Sequence, residues 1–444
     1  MNKSYFIETY GCQMNVADTE LVSAMLNDSG YEETNDINLA DAIFVNTCAI
    51  REHAEDKVHS RLGFYHKIKT QKPSTIIGVL GCMAQNLKED ILESKPYVDI
   101  VLGPDSYRKL PDMLKDRSES NESHIVDTKL SKFEVYDNLF PSRKEGINAW
   151  VSIMRGCDKF CTFCIVPFTR GRERSRSIEG IVEEVKIAVD SGFSEITLLG
   201  QNVNSYNFEG KKFHTLLERV AQIDNVKRIR YTSPHPQDMT VDVLDVMRDH
   251  SNICNYVHLP LQAGSNKVLN RMNRTYTKEE FIALANLIRK KLPKVGISTD
   301  IIVGFPGENK TEFNETLKVM DEIKFDSAFT FKYSSRPGTK ASEYKDHVLE
   351  GEKQERLEMV IAKQRAHTKK RNEDFVENIE DVLIEKESKR SSNQWAGRTD
   401  SNKWVIFDKN NGKIGDIVPV RIESALGITL QGSIEKIHEM EFVI

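Results

Sequence analysis

The sequence predicts an α/β protein in three parts: an N-terminal parallel α/β domain over 1–120, a central partial (β/α)6 TIM-like barrel over 143–374, and a small OB-like β-barrel over 375–444. Three observations carry this. Short apolar runs alternate with helically spaced segments through the first part, which implies a parallel sheet. The middle repeats strand then helix about six times, short of the eight units of a closed barrel. The tail breaks into short strands punctuated by Gly397, Gly412, Gly415, Gly427 and Gly432.

In the first part, 5–10, 42–46 and 76–80 read as strands, and 18–29 and 52–68 as helices. Each strand runs into a cysteine: Gly11-Cys12, Thr47-Cys48 and Gly81-Cys82. The carboxyl ends of parallel strands share one edge, where ligands bind. Cys12, Cys48 and Cys82 are therefore expected to converge as a three-thiolate cluster site. The rival reading is three unrelated buried cysteines at strand ends. The stretch 118–146 is polar, with Ser118, Ser120 and Ser123 among acids and then Pro141, and reads as a linker or crossing segment.

In the middle part, strands are expected at 150–154, 195–199, 228–232, 256–259, 296–303 and 327–333. Helices are expected at 178–190, 214–223, 241–250, 278–291, 311–323 and 353–371. The first strand leads into Arg155-Gly-Cys-Asp-Lys-Phe-Cys-Thr-Phe-Cys164, a C-x3-C-x2-C run at the carboxyl end, where barrel chemistry sits. Cys157, Cys161 and Cys164 can hold three irons of a [4Fe–4S] cluster and leave the fourth iron open to another molecule. A structural zinc site and a disulfide knot are the alternatives. Structural zinc takes four closed ligands, and no His or second CxxC follows nearby.

Tail strands are expected at 381–385, 404–407, 417–422 and 429–434. Across the 444 residues, 39% are hydrophobic, ample for buried cores, and the net charge of −5 gives no global sign of nucleic-acid binding. Any basic surface must be local. No run of about 18 apolar residues suggests a membrane span. The opening residues read as a strand and not as a signal segment. A reducing cytoplasm fits, where cysteines serve as ligands and not as disulfides.

Other motifs gather at strand exits. Phe163, between two ligands, either packs against a cofactor adenine or belongs to the core. Leu199-Gly-Gln-Asn202 and the glycine-rich exit Ser298-Thr-Asp-Ile-Ile-Val-Gly-Phe-Pro-Gly-Glu308 make Gly200, Gln201, Asp300 and Gly304 candidates for cofactor contact. His258-Leu-Pro-Leu-Gln-Ala-Gly-Ser265 is a further polar exit. Arg170, Arg172, Arg174 and Arg176 form a basic loop beside the proposed open iron and are expected to meet phosphate. The helix at 353–371 carries seven basic residues and is expected to face RNA. Cys254 reads as buried core, and His53, His59 and His66 lack metal-ligand spacing.

The cysteine run resembles the radical S-adenosylmethionine (SAM) superfamily signature. Glu8-Thr-Tyr-Gly-Cys-Gln-Met-Asn15, Asn46-Thr-Cys-Ala-Ile-Arg-Glu52 and Gly81-Cys-Met83 resemble the methylthiotransferase family, and the tail is similar to the TRAM domain, an RNA-binding β-barrel. The resemblance covers essentially the whole chain. Gly-Cys-Gln-Met-Asn15, Cys-Ala-Ile-Arg-Glu52 and Pro167-Phe-Thr-Arg-Gly-Arg-Glu-Arg-Ser-Arg176 look most like the MiaB branch, which modifies isopentenylated adenosine beside the tRNA anticodon. The branches acting on a ribosomal-protein aspartate and on threonylcarbamoyl-adenosine match less well there.

The resemblance implies two [4Fe–4S] clusters. The one on Cys157, Cys161 and Cys164 binds SAM and yields a 5′-deoxyadenosyl radical, which takes hydrogen from carbon 2 of the adenine. The auxiliary one on Cys12, Cys48 and Cys82 delivers sulfur, and a second SAM supplies the methyl group, two per turnover. No side-chain catalytic residue is implied. It also implies a monomeric cytoplasmic enzyme with an electron donor such as flavodoxin or ferredoxin. The RNA grip is expected from the tail barrel, the helix at 353–371 and the arginine loop, with Trp395, Arg398 and Trp404 as candidates for stacking or phosphate contact.

Overall fold

The computed structural model describes residues 3–48, 52–119, 124–144, 146–409 and 412–435. Ala49, Ile50, Arg51, Ser120 and Ser123 lie outside the described residues, as do the side chains of Glu52, His53 and Ser118.

The first part is a six-stranded sheet in the order β2-β1-β3-β4-β5-β6, parallel throughout. Its strands are β1 (Lys3–Tyr10), β2 (Tyr31–Glu33), β3 (Ala42–Thr47), β4 (Ile76–Gly81), β5 (Ile100–Leu102) and β6 (Ile125–Asp127). Both faces are covered. Tyr5, Phe44, Leu80 and Leu102 meet Leu21, Val22 and Leu114, while Ile43, Val45, Ile77 and Val79 meet Val58, Leu62 and Ile91. Central strands buried on both faces read as continuous apolar runs. β2, β5 and β6 have three residues each, too short to show a period. β6 corrects one expectation, because this edge strand lies inside the stretch read as a linker.

The central part consists of two three-stranded parallel sheets. One has the order Arg228–Tyr231, Glu195–Leu199, Asn148–Ser152; the other runs Tyr256–His258, Gly296–Val303, Ser327–Lys332. A parallel bridge from Ile229 to Ile253 joins them. Among the described residues, Asn148–Ser152 and Ser327–Lys332 make no pairing with each other, so the barrel is open between its first and last strands. Helix α1 (Gln13–Asp28) of the first part packs on Asn148–Ser152.

Side-chain caps begin the helices that the periodicity marks most clearly. Ser177 accepts a hydrogen bond from Gly180 N at 3.1 Å ahead of helix Ile178–Asp190. Thr277 with Glu280, and Asn309 with Glu312, form capping boxes before Lys278–Lys291 and Lys310–Ile323.

The tail is a closed barrel of Ile379–Ser388, Ser391–Thr399, Trp404–Asp408, Thr429–Ile434 and Ile417–Leu426, in that order. Ser391–Thr399 was not expected as a strand. Its Ser-Ser-Asn-Gln start has no apolar alternation, and a Cβ on Gly397 would collide with the carbonyl of Leu383.

Candidate functional site

The parallel register brings the first triplet together. Tyr10 lies opposite Thr47, and Thr47 opposite Gly81, so the residues that follow leave the sheet abreast. Cys12 caps α1, Cys48 follows β3, and Cys82 opens the helix Cys82–Leu87. Cys48 N donates to Tyr10 O at 3.2 Å. Gly11, at φ +134°, has no room for a side chain, since a Cβ would stand 2.6 Å from that of Cys48. Asn46 behind the edge donates to Asn15 O and Thr19 Oγ1, each at 3.0 Å, fixing the loop of Cys12 to β3.

The second triplet follows the first barrel strand. Gly156 N donates to Gln201 Oε1 at 2.6 Å, Cys157 N to Gly171 O at 3.1 Å, and Cys164 N to Cys161 O at 2.9 Å. Arg274 Nη1 donates to Cys161 Sγ at 3.3 Å.

The two triplets belong to one site. Ile165, next to Cys164, packs against Cys82. The short helix Val166–Arg170 ends on Arg170, whose Nε donates to Cys82 Sγ at 3.2 Å and whose Nη2 donates to Asp18 Oδ2 at 2.8 Å. Asp18 also pairs with Arg155 Nη1 at 3.0 Å. One carboxylate on the helix begun by Cys12 thus holds arginines on both sides of the second triplet. Sequence reasoning missed Asp18 and Arg155. A charged residue on the inner face of an otherwise apolar helix is the signal that could have found Asp18.

The seven cysteines form no disulfide. Burial pushes Cys157 and Cys164 up to about 12, so these thiols ionise only against a cation. Burial also raises Cys82, whereas Cys12 is lowered to about 6, first by its hydrogen bond with Cys48 and further by the Arg170 charge. Among the described residues, no three His, Cys, Asp or Glu side chains gather around the position of one metal ion. A multi-iron cluster, with each thiolate on its own iron, suits the same donor set.

Several expectations are corrected. The basic loop does not present its charges to a phosphate backbone, because Arg170, Arg174 and Arg176 are buried. Arg174 pairs with Asp105 at 2.9 Å, and Arg176 with Glu184 at 2.5 Å and Asp137 at 3.2 Å. Only Arg172 is exposed, paired with Asp158 at 2.6 Å. Arg398 is tied to Glu195 at 3.0 Å, to Asn402 and to Glu385, at the seam between the tail and the central barrel. On helix Glu350–Glu373, Lys353 and Arg356 are buried and Lys363 and Arg371 pair with Asp321 and Asp326, which leaves Arg365, Lys369 and Lys370 as the exposed basic residues of the seven. Long basic side chains are captured by carboxylates, some across the seams between parts, as Arg170 by Asp18, Arg174 by Asp105 and Arg398 by Glu195, and some within one part, as Arg176 by Glu184 and Lys363 by Asp321.

Phe163 meets Phe305 edge-on at 6.4 Å and packs on the barrel core. A Cβ on Gly200 would strike Met154 at 2.8 Å, and Gly304, at φ +70°, sits against Lys353. Asp300 lines the barrel interior, with Oδ2 3.3 Å from His258 Nε2. Cys254 is buried, as expected. Trp404 is half-buried with Lys386 4.5 Å above its ring, and Trp395 has Lys409 at 4.2 Å.

An open barrel carrying a cysteine triplet at its mouth, flanked by a parallel sheet and a closed β-barrel, defines the class. Residues 4–103 match the model of the Uncharacterized protein family UPF0004, 151–320 that of the Radical SAM superfamily, and 376–434 that of the TRAM domain. The radical SAM methyltransferase TsrM of Kitasatospora setae has the same fold at TM-score 0.58, with 14% identity and 77% of each chain covered. The chain is 47% identical to the tRNA-2-methylthio-N(6)-dimethylallyladenosine synthase of Parabacteroides distasonis, over 97% of this chain and 95% of that protein. It is 45% identical to the synthase of that name from Chloroherpeton thalassium, over 96% and 95%. The chain belongs to this family of radical SAM methylthiotransferases. No helix among the described residues is long and apolar enough to cross a membrane.

Proposed function

We propose that this chain methylthiolates carbon 2 of N(6)-isopentenyladenosine beside the anticodon of tRNA, the activity named in its relatives. The observation that carries the reading is the meeting of the two triplets, with Cys82 against Ile165 and Arg170. Either triplet alone has many uses; two open three-thiolate sites at one interface suit radical generation beside sulfur delivery. An aromatic C–H is too weak an acid for a side-chain base, so a cofactor must supply the hard step. Clusters on the two triplets, with two SAM molecules per turnover, would supply radical, sulfur and methyl group.

The chain's own residues receive the base. Enzymes acting on a base take it out of its stack, which a tRNA loop makes cheap. Phe329 and Phe331, 57% and 48% exposed, stand on the last barrel strand, opposite Asp300 and Ile302 of the neighbouring strand. Phe329 meets His258 edge-on at 5.9 Å. Two bare aromatic rings beside a hydrogen-bonding His–Asp pair suit an adenine with an apolar substituent. The remaining grip on RNA belongs to the tail barrel and to Arg172, the protein acts as a monomer, and a flavodoxin- or ferredoxin-type donor supplies electrons.

The test is reconstituted protein with SAM, dithionite and an anticodon stem-loop carrying isopentenyladenosine. A mass gain of sulfur plus methyl on the RNA is expected. Replacing Cys12, Cys48 and Cys82 by Ala should halve the iron and abolish that gain while sparing SAM cleavage. Undiminished iron, or product on ribosomal protein in place of RNA, overturns the reading.

A further inference from the structure

Arg170 has a place that neither the family's cluster chemistry nor RNA binding accounts for. It lies six residues past Cys164, yet reaches across the interface to Cys82, a cysteine of the other triplet. It is 3% exposed. Its Nη1 is also buried and makes no hydrogen bond among the described residues. A guanidinium stays charged in the interior, and here the Asp18 carboxylate 2.8 Å away balances it. Asp18 in turn sits on the helix that Cys12 begins and also binds Arg155, two residues before Cys157.

We propose that Arg170 is a positioning residue that sets the reduction potential of the auxiliary cluster and locks its Cys82 ligand to the radical-site loop. The inference rests on the proposed assignment of a cluster to Cys12, Cys48 and Cys82. Reducing a [4Fe–4S] cluster by one electron adds a negative charge. A buried cation that donates to a ligand sulfur stabilises the reduced form and raises the potential. Asp18, a negative charge nearby, opposes it. The charge and the hydrogen bond thus act together at Cys82, and the Asp18 carboxylate sets how strongly.

The two residues therefore predict shifts of opposite sign, whereas a merely structural role predicts loss of iron from both variants. The experiment uses the full chain with Cys157, Cys161 and Cys164 replaced by Ala, so that only the auxiliary cluster is seen. Iron content and the electron paramagnetic resonance of the reduced cluster are followed in a potentiometric reduction. Arg170→Gln should keep its iron and shift the one-electron couple negative by a factor of ten in the reduction equilibrium, about 59 mV. Arg170→Lys, which keeps the charge, should recover part of the shift, and Asp18→Asn should move the couple in the positive direction. If Arg170→Gln loses its iron, Arg170→Lys and Asp18→Asn still decide by the sign of their shifts. Couples unchanged in both, or moved in the same direction, overturn the inference. Absence of any cluster in the chain with Arg170 intact instead overturns the assignment on which it rests.

Discussion

Two glycines separate backbone strain from site geometry at the scale of single residues. Gly81 and Gly30 share a left-handed φ, +88° and +81°. Around Gly30 nothing lies within 4 Å of an added Cβ, whereas at Gly81 the Cβ would meet Asn46 Oδ1 and stand 3.0 Å from Thr47 O. Alanine at either position should cost about 1–2 kcal/mol of stability from φ alone. Gly81→Ala should cost more, because Asn46 is fully buried and holds Asn15 and Thr19. It should also displace Cys82. Urea unfolding with iron analysis checks this: Gly30→Ala keeps full iron and Gly81→Ala does not. Equal iron in the two would mean that the turn before Cys82 is not what places it.

At the scale of elements, the exits of the barrel strands are stitched to one another. Asn204, after the second strand, accepts from His235 N at 2.8 Å and donates to His235 O at 3.0 Å. The His235 ring stands edge-on to Tyr276 at 5.7 Å, and its Nδ1 accepts from Gln237 N at 3.3 Å. Burial, with the charges of Arg274 and Lys159 adding, lowers this imidazole to about 2. The unfolded chain, with its ordinary value near 6.5, then binds the proton that the folded chain refuses. Stability is therefore unaffected above about pH 6.5 and falls below it, by about 1.4 kcal/mol per pH unit. His235→Gln should remove that increment. The check is the difference in unfolding free energy between the two proteins at pH 7.5 and 5.5; no change in that difference would refute a buried neutral His235.

The elements also show what the sequence could disclose. Helices Ile178–Asp190 and Lys278–Lys291 and strands Glu195–Leu199 and Gly296–Val303 match their expected bounds, because each has an apolar period of its own and a cap or glycine at its end. The convergence of Cys12, Cys48 and Cys82 was legible for a related reason, since each follows a strand and parallel strands share an edge, while Cys157, Cys161 and Cys164 were legible from their spacing alone. The arginines were not. Arg170, Arg174 and Arg398 look like a solvated surface in one dimension, and their partners Asp18, Asp105 and Glu195 lie far away in the chain. Pairing at long separation leaves no local pattern.

For the whole molecule, the consequence is that the tail barrel is bonded to the central barrel and is not a loosely tethered module. The tail seals the amino ends of the central strands. Arg228 donates to Arg398 O at 2.6 Å and to Asp381 O at 2.7 Å, and Arg230 to Thr399 O at 3.0 Å. Asn255 N donates to Asp400 Oδ2 at 2.8 Å, and Lys403 pairs with Asp326 at 2.8 Å. Glu195 sits between Arg230 and Arg398 with no exposure. The cysteine triplets occupy the opposite, carboxyl end. On the proposed function, RNA held by the tail would stand at a fixed span from the two triplets, and the seam's rigidity would be part of substrate placement. Glu195→Ala leaves the buried Arg230 guanidinium without its carboxylate and Arg398 with Glu385 alone, which should cost about 3–5 kcal/mol. Glu195→Gln keeps the shape and should cost less. In calorimetry the unaltered chain should melt its central and tail barrels in one transition, and Glu195→Ala should split them. In steady-state assays Glu195→Ala should raise KM for the stem-loop while leaving SAM cleavage without RNA near its normal rate. A tail that already melts separately in the unaltered chain, or a Glu195→Ala enzyme with unaltered KM, would show that the seam does not set the span between RNA grip and clusters.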